Sequence, residues 1–301
     1  MPVTVELERV RKCYDGVVAV DCLSMSMSAG EIFGLLGPNG AGKTSTIRMM
    51  IGITRPDSGT IRLFGAPLAR KSLLGAGYLP EERGLYRRMT VRENLLFLGE
   101  LAGLSRARAL ERGRAWTVRM GLERWFERRI EELSKGMQQK VQFAAALIHE
   151  PEFIVMDEPF GGLDPVGAND LKEILLELKA QGRTIVLSTH RMDQAEKLCD
   201  SICLVSGGRA IVQGNLREIK RQYGECCIQI DYTGADTLMA GHPMVAARRG
   251  FGNHLELELK PGADPQALLR EAAAVARISR FELMEPSLEE IFIDRVGRRD
   301  A

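Results

Sequence analysis

No run of this 301-residue sequence approaches the roughly 20 consecutive apolar residues that cross a bilayer as a helix, so no spanning segment is expected. The opening stretch MPVTVELERVRKCYDG also has no apolar segment of the secretory type. Charge of one sign is missing too. Forty-one basic side chains stand against 40 acidic ones, a net charge of +1, which argues against a protein that coats nucleic acid. A chain that reads a local site stays open. The six cysteines (Cys13, Cys22, Cys199, Cys203, Cys226 and Cys227) form no CxxC pair and no zinc spacing, so they read as free thiols of a reducing compartment. Repeats and low-complexity tracts are absent. What remains is an ordinary globular chain, expected in the cytoplasm, and at about 150 residues per domain its length predicts two domains. With 45% hydrophobic residues it has enough for a full core without disulfide or metal staples.

Up to about residue 215, apolar strands alternate with amphipathic helices, the pattern of a mostly parallel sheet with helices on its faces. Buried strands are expected at 32–36, 76–79, 153–156, 184–188 and 202–205. Met25 and Met27 alternate with Ser24, Ser26 and Ser28, which reads as one face of a further strand. Between 90 and 149 the strand signals stop. Thr90-Val-Arg-Glu93 is a capping box that opens a helix. A second helix is expected from Ser105 to Gly121, and a third from Ser134 to just before Pro151. Asp164-Pro165 supplies an N-cap and a first-turn proline to another, which Gly182 closes. After Tyr223-Gly224 the texture changes to half-exposed strands (226–232, 254–260, 280–284) and two helices (265–276, 287–296). The expected division is therefore an α/β domain over 1–223, with a helical insertion at about 90–149, and a small α+β domain over 224–301.

Gly37-Pro38-Asn39-Gly40-Ala41-Gly42-Lys43-Thr44 matches GxxxxGK[ST], and it lies between an expected strand and an expected helix, where a phosphate-binding loop belongs. The glycines let successive N–H groups turn inward on phosphate oxygens, and the following helix, opening through Ser45, adds its positive end. Lys43 can reach the β- and γ-phosphates, and the Thr44 hydroxyl can ligate Mg²⁺. Downstream, Phe153-Ile-Val-Met156 runs into Asp157-Glu158-Pro159. In a doubly wound sheet such a strand end lies beside the phosphate loop. Asp157 suits a Mg²⁺ shell, and Glu158 suits polarising a water for in-line attack. Taken alone, the pair reads equally well as a solvated acidic corner. No NKxD motif of GTPases is present.

Leu133-Ser134-Lys135-Gly136-Met137-Gln138-Gln139, following the phosphate loop and preceding the acidic strand, completes an order of motifs that resembles an ABC-type ATP-binding subunit over residues 3 to about 215. The resemblance implies a P-loop NTPase core with a helical subdomain. It also implies ATP with Mg²⁺, and a head-to-tail dimer in which each ATP lies between one copy's phosphate loop and the other's signature turn. Tyr14 then matches the aromatic residue that stacks on adenine. Glu81 stands where the family has a glutamine and would join Thr44 and Asp157 around Mg²⁺. Ser134 and Gly136 match the signature, Asp164 closes a D-loop-like Gly161-Gly162-Leu163-Asp164, and His190 matches the switch histidine that acts with Glu158. Three positions depart from the pattern: Lys135, Met137 and Glu81.

The resemblance implies an ATPase subunit that energises a membrane transporter whose permease is a separate chain. Such a subunit sits on the inner face of the cell membrane, and no nucleic acid is expected as a partner. A soluble ABC ATPase acting on ribosomes or DNA would be expected to carry a second cassette or a long coiled coil. A non-hydrolysing module would be expected to lack Glu158 or His190. Gly77-Tyr-Leu-Pro-Glu-Glu-Arg-Gly-Leu-Tyr86 and Glu285-Pro-Ser-Leu-Glu-Glu-Ile-Phe-Ile293 are similar to the sodium-exporter-like bacterial group. They favour export and leave the cargo open among Na⁺, drug, peptide and lipid. The 82–89 loop, with Arg83, Tyr86, Arg87 and Arg88, reads as the permease contact, the alternative being a solvated basic loop. Arg106, Arg108, Arg112 and Arg114 read as a solvated helix face.

Overall fold

The computed structural model describes residues 3–82, 84–223, 227–234, 237–260, 262–284 and 286–297. Arg83 of the 82–89 loop, Cys226 and Glu285 lie outside the described residues, as does Gly224 at the expected domain boundary. The chain divides into two compact units, 1–215 and 216–301. The break thus falls eight residues ahead of the expected 223/224 boundary, and the intervening helix groups with the second unit.

In chain order the first unit contains β1 (Val3–Tyr14), β2 (Val17–Ser28), β3 (Ile32–Leu36), α1 (Lys43–Met50), β4 (Ser58–Leu63), β5 (Ala66–Pro67) and β6 (Ala76–Leu79). Three helices follow, α2 (Val91–Leu101), α3 (Arg106–Arg119) and α4 (Lys135–Leu147), with no strand among them. The α/β alternation then resumes with β7 (Phe153–Asp157), α5 (Pro165–Ala180), β8 (Thr184–Thr189), α6 (Met192–Leu198), β9 (Ser201–Ser206) and β10 (Arg209–Asn215). The six-stranded sheet has the order β10-β9-β3-β8-β7-β6, parallel except for the β9–β10 pair. Strands β3, β7 and β8 are buried along their whole length, as continuous apolar runs in a sheet covered on both faces should be. Their carboxyl ends converge on one edge, and that edge carries the site.

A second sheet, β2-β1-β4-β5, is antiparallel. Sequence periodicity exposed little of it beyond the Met25/Met27 face. Register shifts between Leu7 and Val10 and between Val10 and Lys12 break the two-residue alternation of β1, so its pattern does not read as a strand. Val5, Leu7, Val10, Leu23, Met25 and Met27 nevertheless join the core that also holds Ile47, Met50 and Phe153.

The second unit consists of α7 (Leu216–Tyr223), β11 (Cys227–Thr233), β12 (Val245–Phe251), β13 (His254–Leu259), α8 (Pro265–Val275), β14 (Arg277–Met284) and α9 (Leu288–Gly297). Its antiparallel sheet has the order β12-β13-β11-β14. Ile228, Ile230, Leu255 and Leu257 pack with Leu268 and Ala272 of α8 into a separate core. Strand β12 was invisible in the sequence, because Val245-Ala-Ala-Arg-Arg-Gly-Phe251 carries no apolar alternation and none of it is fully buried.

Candidate functional site

The turn after β3 is built by glycine. Gly37 and Gly42 have φ of 150° and 100°, and a Cβ on either would lie 2.2 Å from a carbonyl oxygen, of Val205 and of Ala19 respectively. Gly42 is also the N-cap of α1, so no side chain caps that helix, and its first-turn N–H groups are left to an anion. Lys43 is only 7% exposed, and its Nζ donates to Gly37 O at 2.7 Å and Pro38 O at 3.0 Å. Burial pushes the Lys43 ammonium below the usual lysine range, while the charges of Glu158, Asp157 and Glu81 hold it up. The lysine is thus held by its own loop with carboxylates nearby, poised for a multiply charged anion.

A cavity of about 460 Å³ opens here, lined by Ala19, Asn39, Gly40, Gly42, Lys43, Thr44, Ser45, Glu81, Asp157 and Glu158. Thr44, Glu81 and Asp157 therefore share one space, although they are spread over more than a hundred residues of sequence. Asp157, 1% exposed, accepts from Ser188 Oγ on one carboxylate oxygen; its Oδ2 is buried with no hydrogen-bond partner. A buried carboxylate oxygen without a donor is costly, and a hard cation is the natural group to satisfy it. The donor set fits Mg²⁺: Thr44, Glu81 and Asp157 would hold it. Among the described residues no three His, Cys, Asp or Glu side chains form a closed metal cage. An ion here would fill its shell with phosphate oxygens and water, as Mg²⁺ does.

Glu158 is the strained member. Its φ of 49° lies in the left-handed region that a glutamate rarely occupies. Its N–H donates to Ser188 O and Ser188 Oγ, both at 3.2 Å, which fixes the turn. The carboxylate is then carried across to β8: Oε1 accepts from His190 N at 3.0 Å and lies 2.8 Å from His190 Nδ1, and Oε2 accepts from Thr189 Oγ1 at 3.2 Å. The expected Glu158–His190 pair is thus in direct contact. Ser188 and Thr189, which organise it, were not among the expected residues. The available signal was two hydroxyls ending an otherwise apolar strand.

Ser134 caps α4, its Oγ accepting from Met137 N at 3.3 Å. Asp164 caps α5 in the same way, accepting from Gly167 N at 2.8 Å. Gly136 lies against the Gly162 carbonyl, so the signature turn and the D-loop-like turn are neighbours. Neither Ser134, Gly136 nor Asp164 lines the phosphate cavity of its own chain. Nor does Tyr14, which closes β1 at a tight turn, 38% exposed, with Lys12 Nζ 5.4 Å from its ring centre. Its strand partner β2 reaches the site through Ala19.

The assembled features have counterparts in known proteins. Residues 20–161 match the ABC transporter family, and residues 214–296 match the family described as ATP-binding protein DrrA1-3-like, C-terminal domain. An uncharacterized ABC transporter ATP-binding protein of Bacillus subtilis (strain 168) is 38% identical over 291 residues, covering 97% of this chain and 98% of its own. The Nod factor export ATP-binding protein I of Mesorhizobium japonicum is 36% identical over 303 residues, 98% of this chain and 87% of its own. Among solved structures, an ATP-binding subunit of an ABC transporter aligns with a TM-score of 0.68 at 35% identity, over 73% of this chain and 93% of that one. An ATP-binding cassette dimer in a post-hydrolysis state with ADP and Pi shares the fold, with a TM-score of 0.66 at 23% identity over 71% of this chain and 99% of that one.

Proposed function

The chain belongs to the ATP-binding proteins of ABC transporters, the ATPase subunits of such machines, and from that premise we propose that it powers an exporter through ATP-driven pairing of two copies. The observation that carries the pairing is the separation within one chain. Lys43, Asp157 and Glu158 surround one cavity, while Ser134 and Gly136, at a helix N-terminus able to bind phosphate, lie outside it. A head-to-tail pair brings the second set to the first, with ATP filling the gap. Export is supported by the name of the Nod factor relative.

In this reading the loop N–H groups and Lys43 bind the β- and γ-phosphates. Glu158, on its strained turn, orients a water against the γ-phosphate and takes up its proton, and His190 holds that carboxylate in place. Mg²⁺, held by Thr44, Glu81 and Asp157, would neutralise phosphate charge. Tyr14 supplies an aromatic face for the adenine. The partners are a second copy or a related ATPase subunit and a separate permease, on whose cytoplasmic side the chain is peripheral. Among the described residues no helix is long and apolar enough to cross a membrane. The permease surface is assigned to the 82–89 loop and the adjoining α2, where Tyr86 (49% exposed) packs edge-on against Phe97 (39% exposed) beside exposed Arg87 and Arg88.

The deciding experiment is Glu158→Gln. The amide leaves the phosphate cradle intact but cannot take the proton. ATP binding is expected to persist, turnover to fall by about a hundredfold or more, and an ATP-dependent dimer to accumulate in size-exclusion chromatography. Turnover at the wild-type rate would move the catalytic role away from Glu158, and a species that stays monomeric with ATP would remove the pairing.

A further inference from the structure

Of the three glutamines of helix α4, Gln139 and Gln142 are buried, at 5% and 4% exposed. Their spacing of three puts both on one face of the helix. Gln139 Nε2 donates to Pro159 O at 3.1 Å, on the residue that follows Glu158. Gln142 Nε2 divides its two hydrogens between Pro80 O at 3.0 Å and Glu82 O at 3.2 Å, the carbonyls on either side of Glu81. One face of the signature helix therefore grips the backbone behind both of the loop-borne carboxylates that line the phosphate cavity.

Packing does not explain Gln142. A leucine or methionine would fill the same space without burying an amide, and here the amide oxygen Oε1 is buried with no partner at all. What the side chain does achieve is geometric. Pro80 and Glu82 lie past the end of β6, in a stretch without helix or strand, and their carbonyls are bound by a residue of another element. A displacement of the backbone at Glu81 that moves both flanking carbonyls has to carry Gln142 with it or break both bonds. From Gln142 to Ser134 there are eight helical residues, about 12 Å along the axis, and a helix transmits such a shift as a rigid rod.

We propose that Gln142 is a positioning residue that locks the signature helix to the Glu81 segment, so that nucleotide at Glu81 and the placement of Ser134 change together. The proposal deepens the ATP-pairing reading and rests on it for what Ser134 meets. Within one chain, however, the lock acts by itself.

The test compares the full-length wild-type chain with Gln142→Met, which keeps the volume and loses both donors, and with Gln142→Ala, which cannot clash if methionine disturbs the fold. Amide hydrogen exchange over residues 134–140 is measured with and without Mg·ATP. ATP is expected to slow exchange by about fivefold or more in the wild type and by less than about twofold in the variants. The affinity for a fluorescent ATP analogue should stay within about twofold, and kcat should fall by about fivefold at nearly constant KM, a split that mere loss of stability does not produce. An equal ATP response in wild type and variants overturns the proposal, and so does a wild type that shows no response. If Glu158→Gln stays monomeric while the exchange response is present in wild type and lost in Gln142→Met, the pairing reading fails and the lock stands.

Discussion

At the scale of single residues, the chemistry follows from which polar atoms are paired and which are not. Asp157 Oδ2 and Gln142 Oε1 are buried without donors, whereas Lys43 is satisfied by its own loop. These distinctions do not exist in a sequence. GxxxxGK[ST] and the Asp157-Glu158 pair were legible because their chemistry is dictated by residue type at fixed local spacing. Ser188 was not, because its role depends on β8 lying next to β7. Arg106, Arg108, Arg112 and Arg114 read in sequence as a solvated face, yet Arg112 reaches Glu150 at 2.7 Å and Arg114 lies over the Phe126 ring. Arg106, though exposed, lies 3.7 Å from Glu100 of α2, which leaves Arg108 as the exposed one of the four with no such cross-helix contact among those described. One residue pair in the second unit gives a pH prediction. His254 Nδ1 lies 2.6 Å from Asp231 Oδ1, and that hydrogen bond raises the His254 pKa above its ordinary value. A raised folded-state pKa adds stability that is fully present below the ordinary value of about 6.5 and is lost as pH rises through the folded one. Asp231→Asn should return the His254 titration, followed by NMR, toward the ordinary value and flatten the pH dependence of melting across that window. An unchanged His254 titration would show that the pair is not coupled.

At the scale of elements, the caps proved the most readable features. Thr90, Ser134 and Asp164 each accept the N–H three residues on, and Thr90 with Glu93 forms the full reciprocal box. Capping depends on four consecutive residues, so no tertiary knowledge is needed. The antiparallel strands failed for the opposite reason, since bulges in β1 and the polar edge strand β12 hide the alternation that reveals a strand. A different device anchors the loop assigned to the permease. Asn94, fully buried on α2, accepts from Tyr86 N at 2.9 Å and donates to Tyr86 O at 3.1 Å and Thr90 O at 3.0 Å. Asn94→Leu removes the side chain's bonds and leaves both Tyr86 backbone groups without it, at a cost of about 1–3 kcal/mol. For a unit of this size that corresponds to a drop of about 2–12 °C in the thermal melt. Exchange of the 84–90 amides should rise in parallel. A melt matching the wild type would mean the loop is held elsewhere.

At the scale of the whole molecule, two separate cores imply two foldable bodies. A chain ending at Asn215 keeps every residue assigned to nucleotide and signature. It should melt cooperatively and bind the fluorescent ATP analogue within about twofold of the full chain. Failure to bind would show that the second unit is needed for the first to fold. The separation of Ser134 from its own chain's phosphate cavity has a further consequence, one of genetics more than of structure. Under the proposed pairing, Lys43→Ala and Ser134→Ala should each be inactive as a pure population, since each spoils both sites of a pair. In a mixed pair the lesions segregate. One site collects both, and the other is built wholly from wild-type parts. Two dead alleles expressed together should therefore complement one another, restoring about a quarter of wild-type turnover if copies pair at random. Either allele combined with the double mutant should restore nothing.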